Sequence, residues 1–392
     1  MHVIHVAAYF APAFVYGGPP RSILGLCKAL RLGGVDAEVI TTNAGGTGEP
    51  ADASAAPRTF EGIPVRYFPL ALPRWLWHAR GLREALATEI PRADVVHIHG
   101  LWHLPGWHAA RISRRAGVPY VISPRGMLEP EALAIRRVRK QIAFRVIERQ
   151  NLEAAAFLHA TSAREAATLE HQAIGPPIIV APNGVDIDSL RPVDPPATLN
   201  AFKIPANVPL VLYLGRIHPI KRLDILAAAM TRLRAPGVRL VIAGPSEQGY
   251  QQIVAPMFER SRVPVTWTGP VDARQKADLL AMARVLVLCS NAESFGLSVA
   301  EAMGVGVPVV VTESCGWPEV ESEGAGRLVP QDPDAVARAL DDILCDGDLG
   351  RAMGVRGRAL VARHYTWSAT AGLLAERYRA IVADRQRVAC AS

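Results

Sequence analysis

Short, mainly apolar runs recur along the chain, and each is followed by a loop containing Gly or Pro and then by a helical pattern. The run at 285–288 has no polar residue at any position. Such a run suits a strand that is buried on both faces of a parallel sheet. The alternation therefore predicts an α/β chain built on parallel sheets. Comparable runs lie at residues 2–8, 37–42, 95–99, 120–123, 157–160, 178–181, 209–215, 239–243, 265–268 and 308–312.

Two domains are expected, because 392 residues exceed what a single hydrophobic core usually holds. The alternation restarts after a proline-rich run at 191–196, and turn residues bunch together at 182–186. With 50% apolar residues, 20% charged residues and a mean hydropathy of +0.15, the chain can fill two cores. We therefore expect a first domain over 1–183 and a second over 184–369.

The net charge of +7 and the pI of about 9.4 favour an anionic ligand or an anionic membrane surface as a partner. No zinc-ligand spacing, RNA-binding motif or basic tail occurs, so nucleic acid is not expected to be a partner. The five cysteines are scattered and form no Cys-x-x-Cys, which favours a reduced, cytoplasmic protein. No apolar run reaches about 18 residues, so no membrane-spanning helix is expected.

The run at 285–288 leads into the most informative stretch of the chain. Ser294 is placed to cap a helix that starts near Phe295 and must end by Gly304. The first backbone N–H groups of that helix would be unpaired and would form an anion site. Glu293 and Glu301 flank this site, and a carboxylate aimed at a phosphate would repel it, so both should face hydroxyls. A diphosphate between two polyols fits these requirements, which is the chemistry of a nucleotide sugar.

Two further loops have features of a phosphate site. Arg216 and Lys221 flank a loop between a strand and a helix, where two cations could bind a diphosphate. Gly17 and Gly18 precede two prolines and a helix, an arrangement that suits either an approaching phosphate or a simple tight turn. The Gly-x-Gly-x-x-Gly fingerprint is absent, which disfavours a nicotinamide dehydrogenase.

The stretch Glu-Ser-Phe-Gly-Leu-Ser-Val-Ala-Glu-Ala-Met, from Glu293 to Met303, resembles the signature of the retaining glycosyltransferases of family 4. Gly-Arg followed by Lys221 and the turn-rich segment 182–186 also resemble that family. The resemblance covers nearly the whole chain and implies the GT-B fold. In that fold, two Rossmann-like parallel-sheet domains face a deep cleft, and residues 370–392 would cross back to the first domain.

The resemblance also implies roles for particular residues. Glu293 would lie near the transferred sugar, Glu301 would hold the nucleotide ribose, and Arg216 and Lys221 would stabilise the diphosphate. Glu293, Arg216 and Lys221 are therefore the candidate catalytic residues. Besides Glu301, the candidate donor-binding residues are Ser294, Phe295, Gly296, Leu297, Gly18, Gly244, Gly269, Val271 and Asn183.

By resemblance, the reaction moves a sugar from a nucleoside diphosphate to a hydroxyl and keeps the anomeric configuration. The leaving diphosphate would itself help to deprotonate the acceptor, so neither a metal nor a cofactor is expected. The two Asp-x-Asp triplets, at 186–188 and 332–334, are interpreted as turns and helix caps. Two alternatives remain: a GT-B nucleotide-sugar epimerase, and a non-catalytic nucleotide-binding scaffold.

The first domain offers three candidates for contact with the sugar or the acceptor, namely His99, His103 and Arg125. Alternation along the strand directs His97 and His99 to the same face. In the resembling family a histidine commonly follows the next strand, whereas this chain has Arg125 there. That departure weakens a histidine-based mechanism and suggests that Arg125 faces an anion or the acceptor.

Residues 131–149 read as one basic helix with apolar residues spaced by three and four. Such a helix could lie on anionic lipid, which would suit a lipid-linked glycan as acceptor and a peripheral position on the inner face of the membrane. The alternative is an outer helix whose apolar face packs on the sheet, and this interpretation is favoured slightly. A bacterial polysaccharide or lipid-linked oligosaccharide pathway is inferred only from the habits of the family.

Overall fold

The computed structural model describes residues 1–45, 56–134, 136–247, 249–293 and 295–391. The chain divides into two compact units, Met1–Gly184 with Trp367–Ser392, and Val185–Thr366. Each unit is built on a sheet whose central strands are buried, as the apolar runs of the sequence require.

The first unit alternates strands and helices from its first residues. Its strands are β1 (His2–Ala7), β2 (Asp36–Thr42), β3 (Arg58–Phe60), β4 (Ile63–Phe68), β5 (Val95–His99), β6 (Tyr120–Ser123), β7 (Phe157–Ala160) and β8 (Ile178–Val180). Its helices up to residue 171 are α1 (Gly18–Leu32), α2 (Leu82–Glu89), α3 (Leu104–Ala116), α4 (Pro130–Ala134), α5 (Arg137–Ala143), α6 (Arg149–Glu153) and α7 (Ala163–His171).

Within the described residues, the sheet of the first unit has the order β3-β4-β2-β1-β5-β6-β7-β8. All of its pairs are parallel except β3 with β4, which is antiparallel. Neither β3 nor β4 was predicted from the sequence. Pro64 and Arg66 interrupt the apolar character of β4, and over residues 63–67 only alternate residues are buried.

The second unit repeats this plan. Its strands are β9 (Leu210–Leu214), β10 (Arg239–Ala243), β11 (Val265–Gly269), β12 (Ala283–Leu288), β13 (Val309–Thr312) and β14 (Gly326–Val329). Its helices are α8 (Pro195–Ala201), α9 (Leu223–Met230), α10 (Tyr250–Phe258), α11 (Ala273–Met282), α12 (Leu297–Gly304), α13 (Glu319–Ser322), α14 (Pro333–Cys345) and α15 (Gly347–His364).

The sheet of the second unit runs β11-β10-β9-β12-β13-β14 in the described residues, and all of its pairs are parallel. No strand was predicted after residues 308–312, yet β14 pairs with the outer side of β13. Asp332 caps α14 by accepting a hydrogen bond from Ala335 N, which agrees with its interpretation as a helix cap.

The last helix, α16 (Trp367–Ala391), belongs to the first unit. Leu374 and Tyr378 on this helix are fully buried in the core of that unit. α16 packs on α1, where Gly25 faces the indole of Trp367 at a position that would overlap any added Cβ. Glycine is therefore required at 25 by packing, which the sequence alone does not reveal.

The basic segment is not the single helix that its spacing predicts. Arg136 has a left-handed backbone (φ +56°), and residues 144–148 form a π-helical turn between α5 and α6. Packing of its apolar face on the sheet was also a wrong expectation, because Val138, Ile142 and Val146 are 70%, 60% and 68% exposed. Among the described residues, no helix is long and apolar enough to cross a membrane.

The contact between the loop after β9 and the loop after β10 gives a test of the packing. Gly244 has φ +146°, and a Cβ there would overlap the carbonyl oxygen of Gly215. Gly269 also has positive φ, at +68°, but a Cβ there would meet nothing within 4 Å. We expect Gly244→Ala to cost at least about 2 kcal/mol more in unfolding free energy than Gly269→Ala, because only the first adds a clash with backbone. Equal losses in denaturant melts of the two variants would contradict this assignment.

Candidate functional site

The sheet of the second unit reverses its strand order between β9 and β12. From β9 the chain builds outward through β10 and β11, and it then returns to place β12 on the other side of β9. The loops after β9 and β12 therefore leave the sheet towards opposite faces and open a crevice at the carboxyl ends of these strands. Open α/β sheets bind their ligands at such a switch point. Arg216 and Lys221 follow β9, and Glu293 follows β12, so the three candidate catalytic residues lie at this crevice.

Lys221 and Glu293 form an ion pair across the switch point, with Lys221 Nζ 2.5 Å from Glu293 Oε1. Both side chains are largely buried, and Ser290 Oγ donates a second hydrogen bond to the same carboxylate oxygen at 2.6 Å. Lys221 ends a short 3-10 turn that His218 caps by accepting from Ile220 N at 3.2 Å. The position of the ammonium group is therefore set by both neighbouring loops.

Arg216 has a carboxylate partner that the sequence analysis did not identify. Its Nη1 lies 2.6 Å from Oε1 of Glu247, a residue of the loop that follows β10. Arg216 is not held by Glu247 alone, because the hydroxyl of Tyr213 donates to its carbonyl oxygen at 2.7 Å. Glu247 could have been suspected, since it follows a predicted strand at the ligand-binding edge of the sheet.

Glu301 lies in the second turn of α12 and forms an ion pair with Lys276 of α11, at 2.5 Å between Nζ and Oε1. Within the described residues, no hydrogen bond engages the other carboxylate oxygen of Glu301. That oxygen keeps the acceptor capacity that a diol would require. No pattern in the sequence indicated Lys276, because the pairing depends on how two helices pack.

The helix after Glu293 starts two residues later than predicted, at Leu297 instead of near Phe295. Gly296 precedes it with φ +78°, and a Cβ there would lie 2.8 Å from Nε1 of Trp317, so glycine is required. The N–H groups at the start of this helix are therefore those of Leu297 and Ser298. Phe295 is buried against Trp317, whose Nε1 donates to the Phe295 carbonyl. The predicted cap, Ser294, lies outside the described residues.

The other donor-binding candidates of the second unit follow β10 and β11. Gly244 gives its N–H to the Gly269 carbonyl at 2.9 Å and is required there by the close approach of Gly215. Gly269 has open space around it, and Val271 packs at the margin of the core. Gly244 therefore has a structural role at the sheet edge, while Gly269 leaves room for a ligand.

In the first unit, strand order reverses between β1 and β5. Gly18 is the first residue of α1, in the connection that follows β1, and His99 is the last residue of β5. Asn183 is buried near the end of the unit. His99, at the end of β5, and Gly18, at the start of the helix that follows β1, thus belong to the two connections that border the second switch point.

Buried histidines form a hydrogen-bonded chain beneath this edge, and the end groups of the chain determine its tautomers. His159 Nε2 must donate to the Ala181 carbonyl (2.8 Å), so His159 Nδ1 accepts from His97 Nε2 (3.4 Å). His97 Nδ1 is then an acceptor for the hydroxyl of Tyr378 (2.8 Å). The C-terminal helix is therefore linked to the sheet through neutral imidazoles.

A second chain starts at Arg125, which can only donate. Its Nη2 and Nε lie 3.0 and 3.3 Å from His99 Nδ1, so His99 Nε2 donates to His5 Nδ1 at 2.9 Å. His5 Nε2 then carries a buried proton that has no partner among the described residues. Arg125 also donates to Ser22 Oγ at 2.8 Å. The expected role of Arg125 toward an anion or the acceptor stays a prediction.

His103 caps α3. Its Nδ1 accepts from Gly106 N at 3.0 Å, and its Nε2 donates to the His99 carbonyl at 3.0 Å. Both ring nitrogens are therefore engaged by the backbone. A direct contact of His103 with the sugar or the acceptor stays a prediction, and it would require one of these bonds to break.

Glu148 was missed by the sequence analysis and lies in the π-helical turn. It lines a small pocket together with His103, Trp107 and Asn151. Burial raises the pKa of Glu148 to about 7, against hydrogen bonds from Trp107 Nε1 (2.7 Å) and Trp102 N (2.5 Å), which lower it. No pattern in the sequence distinguishes a buried carboxylate within this basic segment from an exposed one.

The described residues contain one cluster with the composition of a metal site, His5, His97 and His99, whose ligand nitrogens lie within 4.8 Å of one another. The lone pairs of His97 Nδ1 and His99 Nδ1 already accept hydrogen bonds. Arg125 would also repel a cation placed there. The cluster is therefore a poor fit for a metal ion.

Comparison with known proteins gives consistent matches to both halves of the chain. A glycosyl transferase 4-like domain matches residues 17–184, and glycosyl transferases group 1 matches residues 208–346. D-inositol 3-phosphate glycosyltransferase from Streptomyces scabiei is 31% identical over 404 residues, covering 95% of this chain and 88% of that protein. Sucrose-phosphate synthase from Thermosynechococcus elongatus has a TM-score of 0.78 at 23% identity and covers 98% of this chain and 100% of its own. Anabaena HepE, solved with UDP and glucose, has a TM-score of 0.74 at 20% identity, with 97% and 100% covered.

The two parallel-sheet units and these structural neighbours show the GT-B fold, and the matched family models and the Streptomyces relative define the class, the glycosyltransferases of that fold. The chain belongs to the group 1 glycosyl transferases, which correspond to glycosyltransferase family 4. It is a glycosyltransferase that uses a nucleotide sugar, as the sequence analysis predicted.

The buried imidazoles predict a loss of stability in acid. Burial lowers the pKa of His5 and His159 to about 3 and that of His103 to about 4, and it holds the pKa values of His97 and His99 well below 6.5. Below pH 6.5 the unfolded chain therefore binds more protons than the native chain. The free energy of unfolding then decreases as the pH is lowered. Each such histidine contributes up to about 1.4 kcal/mol per pH unit to the decrease in the free energy of unfolding. Glu148 and His2, whose pKa values are raised, act in the opposite direction, and they are outnumbered by the histidines whose pKa is lowered.

We expect the unfolding free energy, measured in denaturant melts, to fall steeply between pH 6.5 and 5. His159→Phe should reduce this slope, because it removes one group whose pKa is lowered by burial. A pH-independent free energy across this range would show that the histidines are not held neutral.

Proposed function

We propose that the chain transfers a sugar with retention of anomeric configuration from a nucleoside diphosphate to a hydroxyl acceptor, and that the donor binds in the crevice between β9 and β12. The Lys221–Glu293 ion pair at the switch point is the observation that carries this proposal. It joins a cation suited to phosphate and a carboxylate suited to sugar hydroxyls at one place.

Glu301 binds the ribose in this proposal. Its Lys276 partner occupies one carboxylate oxygen and orients the group, while the other oxygen accepts from a ribose hydroxyl. The diphosphate then lies between the start of α12 and the two cations that follow β9. Gly269, a candidate donor-binding residue after β11, supports this arrangement, because a Cβ there would meet nothing within 4 Å and the nucleotide would have room.

The chemical task of the protein is to stabilise the charge that develops on the leaving diphosphate. Lys221 and Arg216 supply positive charge, and the N–H groups of Leu297 and Ser298 supply backbone donors. Each well-placed donor is worth about 3 kcal/mol of barrier in comparable anion sites. Because these groups can carry the charge, we propose that transfer needs no metal and no cofactor. The leaving phosphate oxygen accepts the acceptor's proton as the new glycosidic bond forms.

A panel of UDP, GDP and ADP in calorimetry tests the donor site. We expect one nucleoside diphosphate to bind selectively and Glu301→Ala to weaken it at least tenfold, because the ribose loses its acceptor. Glu321→Ala, an exposed carboxylate on α13, is the matched control and should leave the affinity unchanged. Absence of binding by all three nucleotides would contradict the proposed donor site, and equal affinity of the Glu301 variant would overturn the role of this residue.

We further propose that the first unit docks on an anionic membrane surface through a basic-apolar patch. The patch comprises Leu72, Trp75, Val138, Ile142 and Val146, all exposed, with basic residues around them. Its two segments are joined, because the Arg139 guanidinium stacks 3.2 Å from the centroid of the Trp75 ring. Apolar side chains within a ring of arginines match the boundary between acyl chains and anionic headgroups.

Membrane docking supports a lipid-linked glycan as acceptor and a peripheral position at the cytoplasmic face of the membrane. A hydroxyl acceptor anchored in lipid would be presented at the same surface that the patch contacts. A role in bacterial polysaccharide or lipid-linked oligosaccharide assembly follows from this acceptor class.

Flotation with anionic and neutral liposomes tests the patch. We expect the wild type to float with anionic vesicles only, and the triple variant Arg136→Glu, Arg137→Glu, Arg145→Glu to lose flotation, because each basic residue near the surface contributes about 1 kcal/mol. Reversal of three exposed arginines of the second unit, Arg234, Arg260 and Arg262, gives the same net charge and should leave flotation intact. Equal loss in both variants would point to net charge instead of the patch.

A further inference from the structure

Arg125 is a buried cation in an unusual backbone position. It follows β6 and Pro124, is 9% exposed and has φ +54°. A non-glycine residue with positive φ is strained, and such strain persists where the surroundings require it. Here the turn is held by Glu165, whose Oε1 accepts from Gly126 N at 2.6 Å. The backbone thus directs this side chain inward.

The partners of Arg125 are neutral. His99 Nδ1 accepts from its Nε and Nη2, and Ser22 Oγ accepts from its Nη1. These bonds use three of the five N–H donors of a guanidinium and leave one on each Nη. Among the residues that the structure describes, no carboxylate forms an ion pair with Arg125.

Glu165 is the carboxylate with the largest charge effect on Arg125, but its oxygens are committed elsewhere. Its Oε2 accepts from Thr161 N and Thr161 Oγ1, each at 2.7 Å, while Oε1 holds the Gly126 turn. Burial lowers the pKa of Arg125 to about 10, so the group is still charged at neutral pH. A buried charge without a paired anion is strongly unfavourable, and such groups concentrate at functional sites.

The position of Arg125 in the fold indicates where its missing anionic partner would bind. β6 lies beside β5, and the strand order reverses between β5 and β1, so the loops after these strands border a switch point. Ser22, the partner of Nη1, lies in the first turns of α1, which follows β1. The two remaining N–H groups therefore belong to the ligand-binding edge of the first unit.

We propose that Arg125 binds an anionic group, a phosphate or a carboxylate, on the acceptor of the sugar. This inference rests on the proposed function, in which Lys221 and Arg216 of the second unit already bind the diphosphate of the donor. The guanidinium matches either oxyanion with two N–H groups, while His99 and Ser22 fix its plane. Arg125 thus selects charged over neutral acceptors.

The test measures binding of inorganic phosphate and of acetate to the full chain by calorimetry at constant ionic strength. The donor site is first saturated with the nucleoside diphosphate that binds best, so that added anions cannot report on it. We expect one anion to bind the wild type, Arg125→Gln to weaken it at least tenfold, and Arg125→Lys to retain part of the affinity, since lysine keeps the charge but loses the fork. Lys221→Met is the matched control, and it should impair the nucleotide without changing the anion.

The outcomes separate this inference from the proposed function. The anion site would be overturned if the wild type bound the nucleotide but no anion. It would also be overturned if the Arg125→Gln and Arg125→Lys variants bound the anion as tightly as the wild type. Either outcome would leave the donor site unaffected. If Arg125→Gln does not fold, the Arg125→Lys variant still tests the inference. If Arg125 had only a structural role, the wild type would bind no anion at this site and Arg125→Lys could not reduce that binding. Anion binding that is lost in Lys221→Met and kept in Arg125→Gln would assign the anion to the donor site and would also overturn the inference. Preference for phosphate or for acetate distinguishes the two acceptor chemistries.

Discussion

A parallel sheet brings the carboxyl ends of all its strands to one edge, and this constraint underlies both units. Where the strand order reverses, between β9 and β12 and between β1 and β5, neighbouring loops turn to opposite faces and leave a crevice. The candidate catalytic residues Arg216, Lys221 and Glu293 follow the two strands at the first of these points. The donor site is thus a consequence of strand order before any side chain is considered.

Charge is distributed differently at the two switch points. In the second unit, each candidate cation or carboxylate has a partner of opposite sign: Lys221 with Glu293, Lys276 with Glu301 and Arg216 with Glu247. A ligand there exchanges contacts with groups whose charge is already balanced. In the first unit, Arg125 is buried among neutral imidazoles. That imbalance is the physical reason to assign an anionic group to the acceptor.

Much of the fold could be predicted from the sequence, because buried parallel strands require continuous apolar runs. The missed strands are those that the rule does not cover: β4 contains Pro64 and Arg66, β3 is a three-residue edge strand, and β14 is a short strand that begins with Gly326 and Arg327. The two glutamates and two cations of the donor site were identified from strand ends and a shared motif. Lys276, Glu247 and Glu148 were missed, because their roles depend on neighbours distant in sequence.

By itself, the sequence determined the fold class, the family and the residues at the ends of the buried strands, since these follow from local periodicity and short motifs. Tertiary structure alone decided how those residues pair and which faces remain exposed. The spacing of the basic segment predicted an apolar face packed on the sheet, yet a left-handed Arg136 and a π-helical turn break the helix and expose Val138 and Ile142. Burial and pairing are relations between distant segments, so no local pattern encodes them.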